Sequence, residues 1–143
     1  MKKIILTGGA GFIGSNLLSK LLESDVEKIV IIDDLSTGSI ENINKHINNK
    51  KVEFINSKIE DVNNLNELFE NANFCYHLAA GVGVQYIMDN LSKSLLTNII
   101  ATHQVLEACQ NNNVPVLITS TSEIYGVSQD EVWDENKIGR AHV

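Results

Sequence analysis

Residues 6–18 read "LTGGAGFIGSNLL", with glycines three apart at Gly8, Gly11 and Gly14. The run just before them, "KKIILT" at 2–7, is short, apolar and rich in β-branched residues, which predicts a buried strand. Just after them, Ile13, Leu17, Leu18, Leu21 and Leu22 recur at helical spacing. The glycines therefore stand where a first strand turns into a first helix.

The same alternation continues outward. "KIVIID" at 28–33, "KVEFIN" at 51–56, "NFCYHLA" at 73–79 and "PVLITS" at 115–120 predict four more strands, the last opened by the single proline, Pro115. Between them, Ser39 is a cap for a short helix over "IENINKHI". Asp61 opens a helix with Val62, Leu65, Leu68 and Phe69 on one side. A long helix is expected from about Lys93 to Gln110, its apolar stripe made by Leu95, Leu96, Ile99, Ile100, Leu106 and Cys109. Near-continuous apolar strands mean that both sheet faces are covered. The expected fold is α/β, a doubly wound parallel sheet of Rossmann-like type. Right-handed crossovers give it the order 3-2-1-4-5, ending after the fifth strand.

In such a sheet the three glycines have separate uses. Gly8 permits the tight turn, Gly11 lets backbone approach a pyrophosphate, and Gly14 lets helix and strand pack closely. The helix N-terminus adds unpaired N–H groups and a positive dipole end, with the amides of Phe12 and Ile13 as the candidate phosphate donors. No Lys-Ser or Lys-Thr follows the last glycine, so this is not a mononucleotide P-loop. Turn glycines also occur without a ligand. Context weighs against that: Asp33 ends the second strand 19 positions after Gly14, where an acid accepts hydrogen bonds from an adenosine ribose. Asp33 and Asp34 would together repel a 2′-phosphate, so the expected cofactor is NAD rather than NADP.

Bulk properties narrow the function classes. The 143 residues make one domain or part of one, and the 43% apolar and 20% charged fractions are ordinary for a soluble globular chain. A net charge of -7 argues against general nucleic-acid binding and against an anionic membrane surface. Cys75 and Cys109 form no disulfide framework, there is no CxxC, and the four histidines are scattered, so no metal site is expected. No apolar run approaches the roughly 18 residues that span a bilayer. The N-terminus does not read as a signal peptide, and the cytoplasm is the expected compartment.

The GxxGxxG spacing within "TGGAGFIGSNL" differs from the GxGxxG of common dehydrogenases. It resembles the extended short-chain dehydrogenase/reductase family, the NAD-dependent nucleotide-sugar epimerases and dehydratases. The resemblance runs to about residue 135. "DDLSTG" at 33–38 looks like the family's ribose loop, and Asp61 and Val62 match its adenine-contacting pair. "HLAA" at 77–80, with Leu78, Ala79 and Ala80, matches the segment along the nicotinamide half. Asn98 matches the asparagine of the family's "NxxGT" helix, although Ala101 replaces its glycine. Leu91 stands where the family often has proline. "STSEIYG" at 120–126 matches the end of the fifth strand.

By that resemblance Thr121 takes the place of the catalytic serine or threonine, whose hydroxyl bonds the sugar oxygen being oxidised. A plain strand-end cap is the other reading of Thr121. Ser122 and Glu123 replace the Asp-Glu pair of sugar 4,6-dehydratases and resemble UDP-glucuronate decarboxylases and an epimerase-like group. Glu123 then acts as acid or base, or only organises the turn before Tyr125. "AAGVGVQYIMDN" at 79–90 favours the epimerase-like group. The resemblance thus implies a UDP-glucose 4-epimerase type working at sugar C4. The alternatives are a UDP-glucuronate decarboxylase, a sugar dehydratase, or a non-catalytic dinucleotide-binding module. It also implies a UDP-sugar substrate and a homodimer built through the 93–110 helix.

One family element is missing from the sequence. The base belongs to a Tyr-x-x-x-Lys motif, but the positions four after Tyr76, Tyr86 and Tyr125 are Ala80, Asn90 and Gln129. No turnover is therefore expected of this chain by itself. The closing "IGRAHV" is what ATC GGA AGA GCA CAC GTC encodes, a common sequencing adapter. The incomplete NAD-binding domain is accordingly expected to span 1–137, with 138–143 a non-native tail, which the coding DNA can check.

Overall fold

The computed structural model describes residues 2–81, 88–89, 91–121 and 125. Five parallel strands form one sheet: β1 (Lys3–Thr7), β2 (Lys28–Asp33), β3 (Val52–Asn56), β4 (Phe74–His77) and β5 (Val116–Ile118). Their order is β3-β2-β1-β4-β5, as the crossover rule requires. Register is continuous across the centre, with Ile5 beside Val30 on one side and Cys75 on the other. The central strands are the most apolar because the sheet is covered on both faces.

Alternation along the strands divides the core in two. Ile4, Leu6, Ile29 and Ile31 point to one face. There they meet Leu18 of helix α1 (Phe12–Leu22) and Ile43 of helix α2 (Ile40–Ile47). The Ser39 hydroxyl caps α2 by accepting from the Glu41 amide at 3.3 Å, as its sequence position predicts. Ile5, Val30, Ile32 and Cys75 point to the other face. They pack on Phe69, Ala101, Val105 and Ala108.

Two predicted helices take different forms. The segment opening at Asp61 is a 3-10 turn (Ile59–Asp61) followed by a single short helix, α3 (Leu65–Leu68). Asn71 then takes a left-handed φ of 58°, which closes the helical path before β4. The long helix is built of α4 (Leu91–Leu96), a π-helical turn (Thr97–Ala101) and α5 (Thr102–Asn111). Its core-facing side is made by Ser94, Ala101, Val105, Ala108 and Cys109. Leu95, Ile99 and Leu106 of the predicted apolar stripe face outward, at 58%, 59% and 40% exposure. Ala101, where the family pattern has glycine, is fully buried at the end of the π turn. No helix among the described residues is long and apolar enough to cross a membrane. Ser122, Glu123 and residues 138–143 lie outside the described residues.

Candidate functional site

The carboxyl ends of all five strands open into one cleft of about 1190 Å³. In an open parallel sheet this is where ligands bind, because the loops diverge there on either side of the first strand. Gly8, Gly11, Phe12, Ile13 and Gly14 form its middle. Asp33 and Asp34 lie on the β2 side, and Leu78, Ala79, Ala80, Asn98 and Thr121 on the β4–β5 side.

The glycines differ in what they permit. Gly8 has φ +70°, and a Cβ there would stand 2.7 Å from the Ala79 nitrogen and 2.8 Å from the Leu78 carbonyl carbon. A Cβ on Gly14 would overlap the Gly8 carbonyl oxygen and lie 2.7 Å from the Gly9 Cα. Both positions are filled by the protein's own backbone. Gly11 is different: a Cβ would meet only the Gly8 oxygen, at 3.3 Å, and otherwise point into open space. Gly11 is also the N-cap of α1, with no side chain to cap the helix and no acidic residue in the first turn. The positive end of α1 is therefore left for an anion from outside. Phe12 and Ile13 start the helix with side chains 83% and 63% exposed at the mouth of the cleft.

Asp33 is 9% exposed and works structurally as well as facing the cleft. Its Oδ2 accepts from the Ala10 amide at 2.8 Å and its Oδ1 from the Leu35 amide at 2.9 Å. Each carboxylate oxygen keeps further acceptor capacity toward a ligand hydroxyl. Asp34 Oδ1 accepts from the Ser36 amide at 2.9 Å. The Ala10 carbonyl is engaged as well: it accepts from the Ser39 amide at 3.1 Å and from Asn42 Nδ2 at 2.8 Å. The glycine turn and the loop after β2 are thus tied through one residue, Ala10. Neither Ala10 nor Asn42 carries a sequence signal for this role.

Ser57, Lys58, Ile59 and Glu60 line the cleft beyond β3. Asp61 and Val62 stand just past that lining; Asp61 is exposed, and Val62 packs against the core. Asn98 lines the cleft from the π turn. Its Oδ1 accepts from the Gly81 amide at 2.7 Å and its Nδ2 donates to the Gly81 carbonyl at 3.3 Å. Thr121 lines the cleft just past β5, and its side is exposed.

Sequence reasoning passed over His77. It is 2% exposed, and burial pushes its pKa below the ordinary value. Its Nδ1 lies 2.7 Å from Thr7 Oγ1 and its Nε2 lies 2.9 Å from Thr102 Oγ1. Burial also pushes the Cys75 and Cys109 thiols up, as expected of inert core residues. Among the described residues no group of three or more His, Cys, Asp or Glu side chains could hold a metal.

A family model described as GDP-mannose 4,6 dehydratase matches residues 5–142. The chain belongs to that family. It is of the extended short-chain dehydrogenase/reductase type that its motifs resemble. UDP-glucuronic acid decarboxylase 6 of Arabidopsis thaliana is 35% identical over 124 residues, which cover 87% of this chain and 35% of that protein. The chain thus spans about a third of the length of the curated relatives first matched. UDP-N-acetylglucosamine 4-epimerase of Methanobrevibacter ruminantium M1, solved with UDP-N-acetylmuramic acid, has a TM-score of 0.85 at 31% identity, over 97% of this chain and 44% of that one. The dTDP-glucose 4,6-dehydratase DesIV of Streptomyces venezuelae, solved with NAD, has a TM-score of 0.87 at 26% identity, over 96% of this chain and 45% of that one. These three relatives are named for three different activities.

Proposed function

We propose that this chain is the NAD-binding part of a nucleotide-sugar enzyme, of UDP-glucose 4-epimerase type, acting at C4 of a UDP-sugar. The observation that carries the reading is the uncapped start of α1, open at Gly11, in the same cleft as Asp33 on one side and Thr121 on the other. These residues fit NAD. The amides of Phe12 and Ile13 suit its pyrophosphate, and Asp33 and Asp34 suit the ribose and exclude a 2′-phosphate by charge. Asp61 and Val62 would approach the adenine from just beyond the lining turn, and Leu78, Ala79 and Ala80 would flank the nicotinamide.

When bound, NAD supplies the hydride acceptor. Thr121 offers a hydroxyl where the substrate sugar would lie, and Ser122 and Glu123 follow it as candidate proton-handling residues. The 143-residue chain lacks the Tyr-x-x-x-Lys pair, so turnover is proposed for the full-length protein and not for this chain alone. The outward face of α4, the π turn and α5, with Leu95, Ile99 and Leu106, suits the homodimer that the family resemblance implies.

A second reading is a UDP-glucuronate decarboxylase, favoured by the 35% identical decarboxylase relative and by the Thr-Ser-Glu order at 121–123. Incubating the full-length protein with NAD and, separately, UDP-glucose, UDP-galactose and UDP-glucuronate decides between them. Interconversion of the first two supports the epimerase, and carbon dioxide released from the third supports the decarboxylase. No NAD binding and no turnover would leave a scaffold module and end the enzyme reading.

A further inference from the structure

We propose that His77 is a positioning residue of the cleft, held neutral with its proton on Nε2 so that it locks the β4–β5 side to the π turn. This rests on the reading of the cleft as an NAD site, and it assigns a role to a buried side chain of the cleft lining.

The partners fit these proton positions. The Ala79 amide can only donate, and it reaches Thr7 Oγ1 at 3.2 Å. The Thr7 hydroxyl can then donate its proton to His77 Nδ1, 2.7 Å away. In the proposed arrangement Nδ1 accepts that proton, and the neutral ring carries its own proton on Nε2. Nε2 then donates to Thr102 Oγ1 at 2.9 Å. Hydrogen bonds thus run in one direction from the Ala79 amide, through Thr7 and His77, to Thr102. Such a chain strengthens each of its members in a buried setting.

The chain joins three parts of the cleft wall. Thr7 is the last residue before the Gly8 turn, Ala79 belongs to the lining after β4, and Thr102 follows the π turn directly. In the sheet order, β4 and β5 lie on the opposite side of β1 from Asp33. The adenosine end of the ligand therefore belongs to the β2 side and the other end to the side that His77 braces. Loss of the brace should loosen the nicotinamide end and spare the adenosine end.

The test uses the full-length protein, with NAD and AMP as paired probes in calorimetric titrations. His77→Gln and Thr102→Val should each weaken NAD by about tenfold, the scale of one lost buried hydrogen bond. AMP should stay within about twofold, and Thr102→Ser, which keeps the hydroxyl, should restore NAD binding. Nitrogen NMR of the wild type should show a neutral His77 with Nδ1 unprotonated. A proton on Nδ1, unchanged NAD affinity in Thr102→Val, or equal loss of AMP and NAD would each overturn the positioning role while leaving the cofactor reading in place. A wild type that binds AMP but not NAD, or neither, would overturn both.

Discussion

Replacing Gly8 and Gly11 by alanine separates what the glycine turn does for the fold from what it does for the ligand. At Gly8 the φ of +70° puts alanine in the left-handed region, at a cost of about 1–2 kcal/mol. Its Cβ would also press on the Leu78 and Ala79 backbone at 2.7–2.9 Å, where no side chain can swing aside. Overpacking of that kind costs about 1–3 kcal/mol. The sum, about 2–5 kcal/mol, is a large part of the 5–15 kcal/mol that holds an ordinary domain together. In urea the Gly8→Ala midpoint should fall by about 1 M or more. At Gly11 the φ is an ordinary -74°, and the nearest atom to a Cβ is 3.3 Å away. Alanine is only a poorer helix cap there, worth at most about 1 kcal/mol. The same Cβ would stand where the pyrophosphate is proposed to approach, so NAD affinity should drop by about tenfold or more. Urea titration and NAD calorimetry on both variants make the comparison. If Gly11→Ala destabilises as much as Gly8→Ala, or binds NAD like the wild type, the division of labour is wrong.

Asn98→Ala removes both bonds to Gly81, and the Gly81 amide should lose hydrogen-exchange protection by about tenfold. Unchanged protection would show that the π turn holds the loop without the side chain. Ser39→Ala should cost about 1 kcal/mol in urea unfolding through the lost α2 cap, with NAD affinity unaltered. Stability should also depend on pH through His77. Its folded pKa lies below the ordinary value, so the unfolded chain takes up a proton first as pH falls. The contribution is whole above about pH 6.5 and is lost as pH drops from there through the folded value. His46, lowered by burial and by Lys45, acts with the same sign. His77→Gln should therefore flatten, without abolishing, the decline in urea midpoint between about pH 7.5 and pH 5.5. A variant that declines as steeply as the wild type would place that sensitivity elsewhere.

The strands were legible because each is a short apolar run, and Ile4–Leu6 or Ile29–Ile32 can be buried on both faces only inside a covered parallel sheet. The glycine turn was legible because its geometry is local. The π turn was not, since no residue type in Thr97–Ala101 marks where one extra residue widens the helix from i→i+4 to i→i+5 bonding. The helix expected after Asp61 was over-read because Val62, Leu65 and Leu68 have helical spacing, while Asn63, Asn64 and Asn71 favour turns. His77 was hidden for a third reason. Its partners are 70 positions upstream and 25 downstream, so only the folded sheet brings them together. The apolar stripe of the long helix misled in a similar way. Leu95 and Ile99 are among its large apolar members and face outward, while small residues such as Ala101 and Ala108 are buried against the sheet.

The brace from Asp33 to the Ala10 amide bears on any attempt to change the cofactor preference. The usual route toward a 2′-phosphate is to replace the ribose-binding acid by a smaller neutral residue. Here that carboxylate also fixes Ala10 and, through it, Ser39 and Asn42. On the proposed reading of Asp33, selectivity and loop architecture are written on the same side chain. A redesign for phosphorylated dinucleotides would have to supply a new acceptor for the Ala10 N–H before it could profit from the vacated space. This coupling makes the cofactor preference harder to evolve away from than the single substitution suggests.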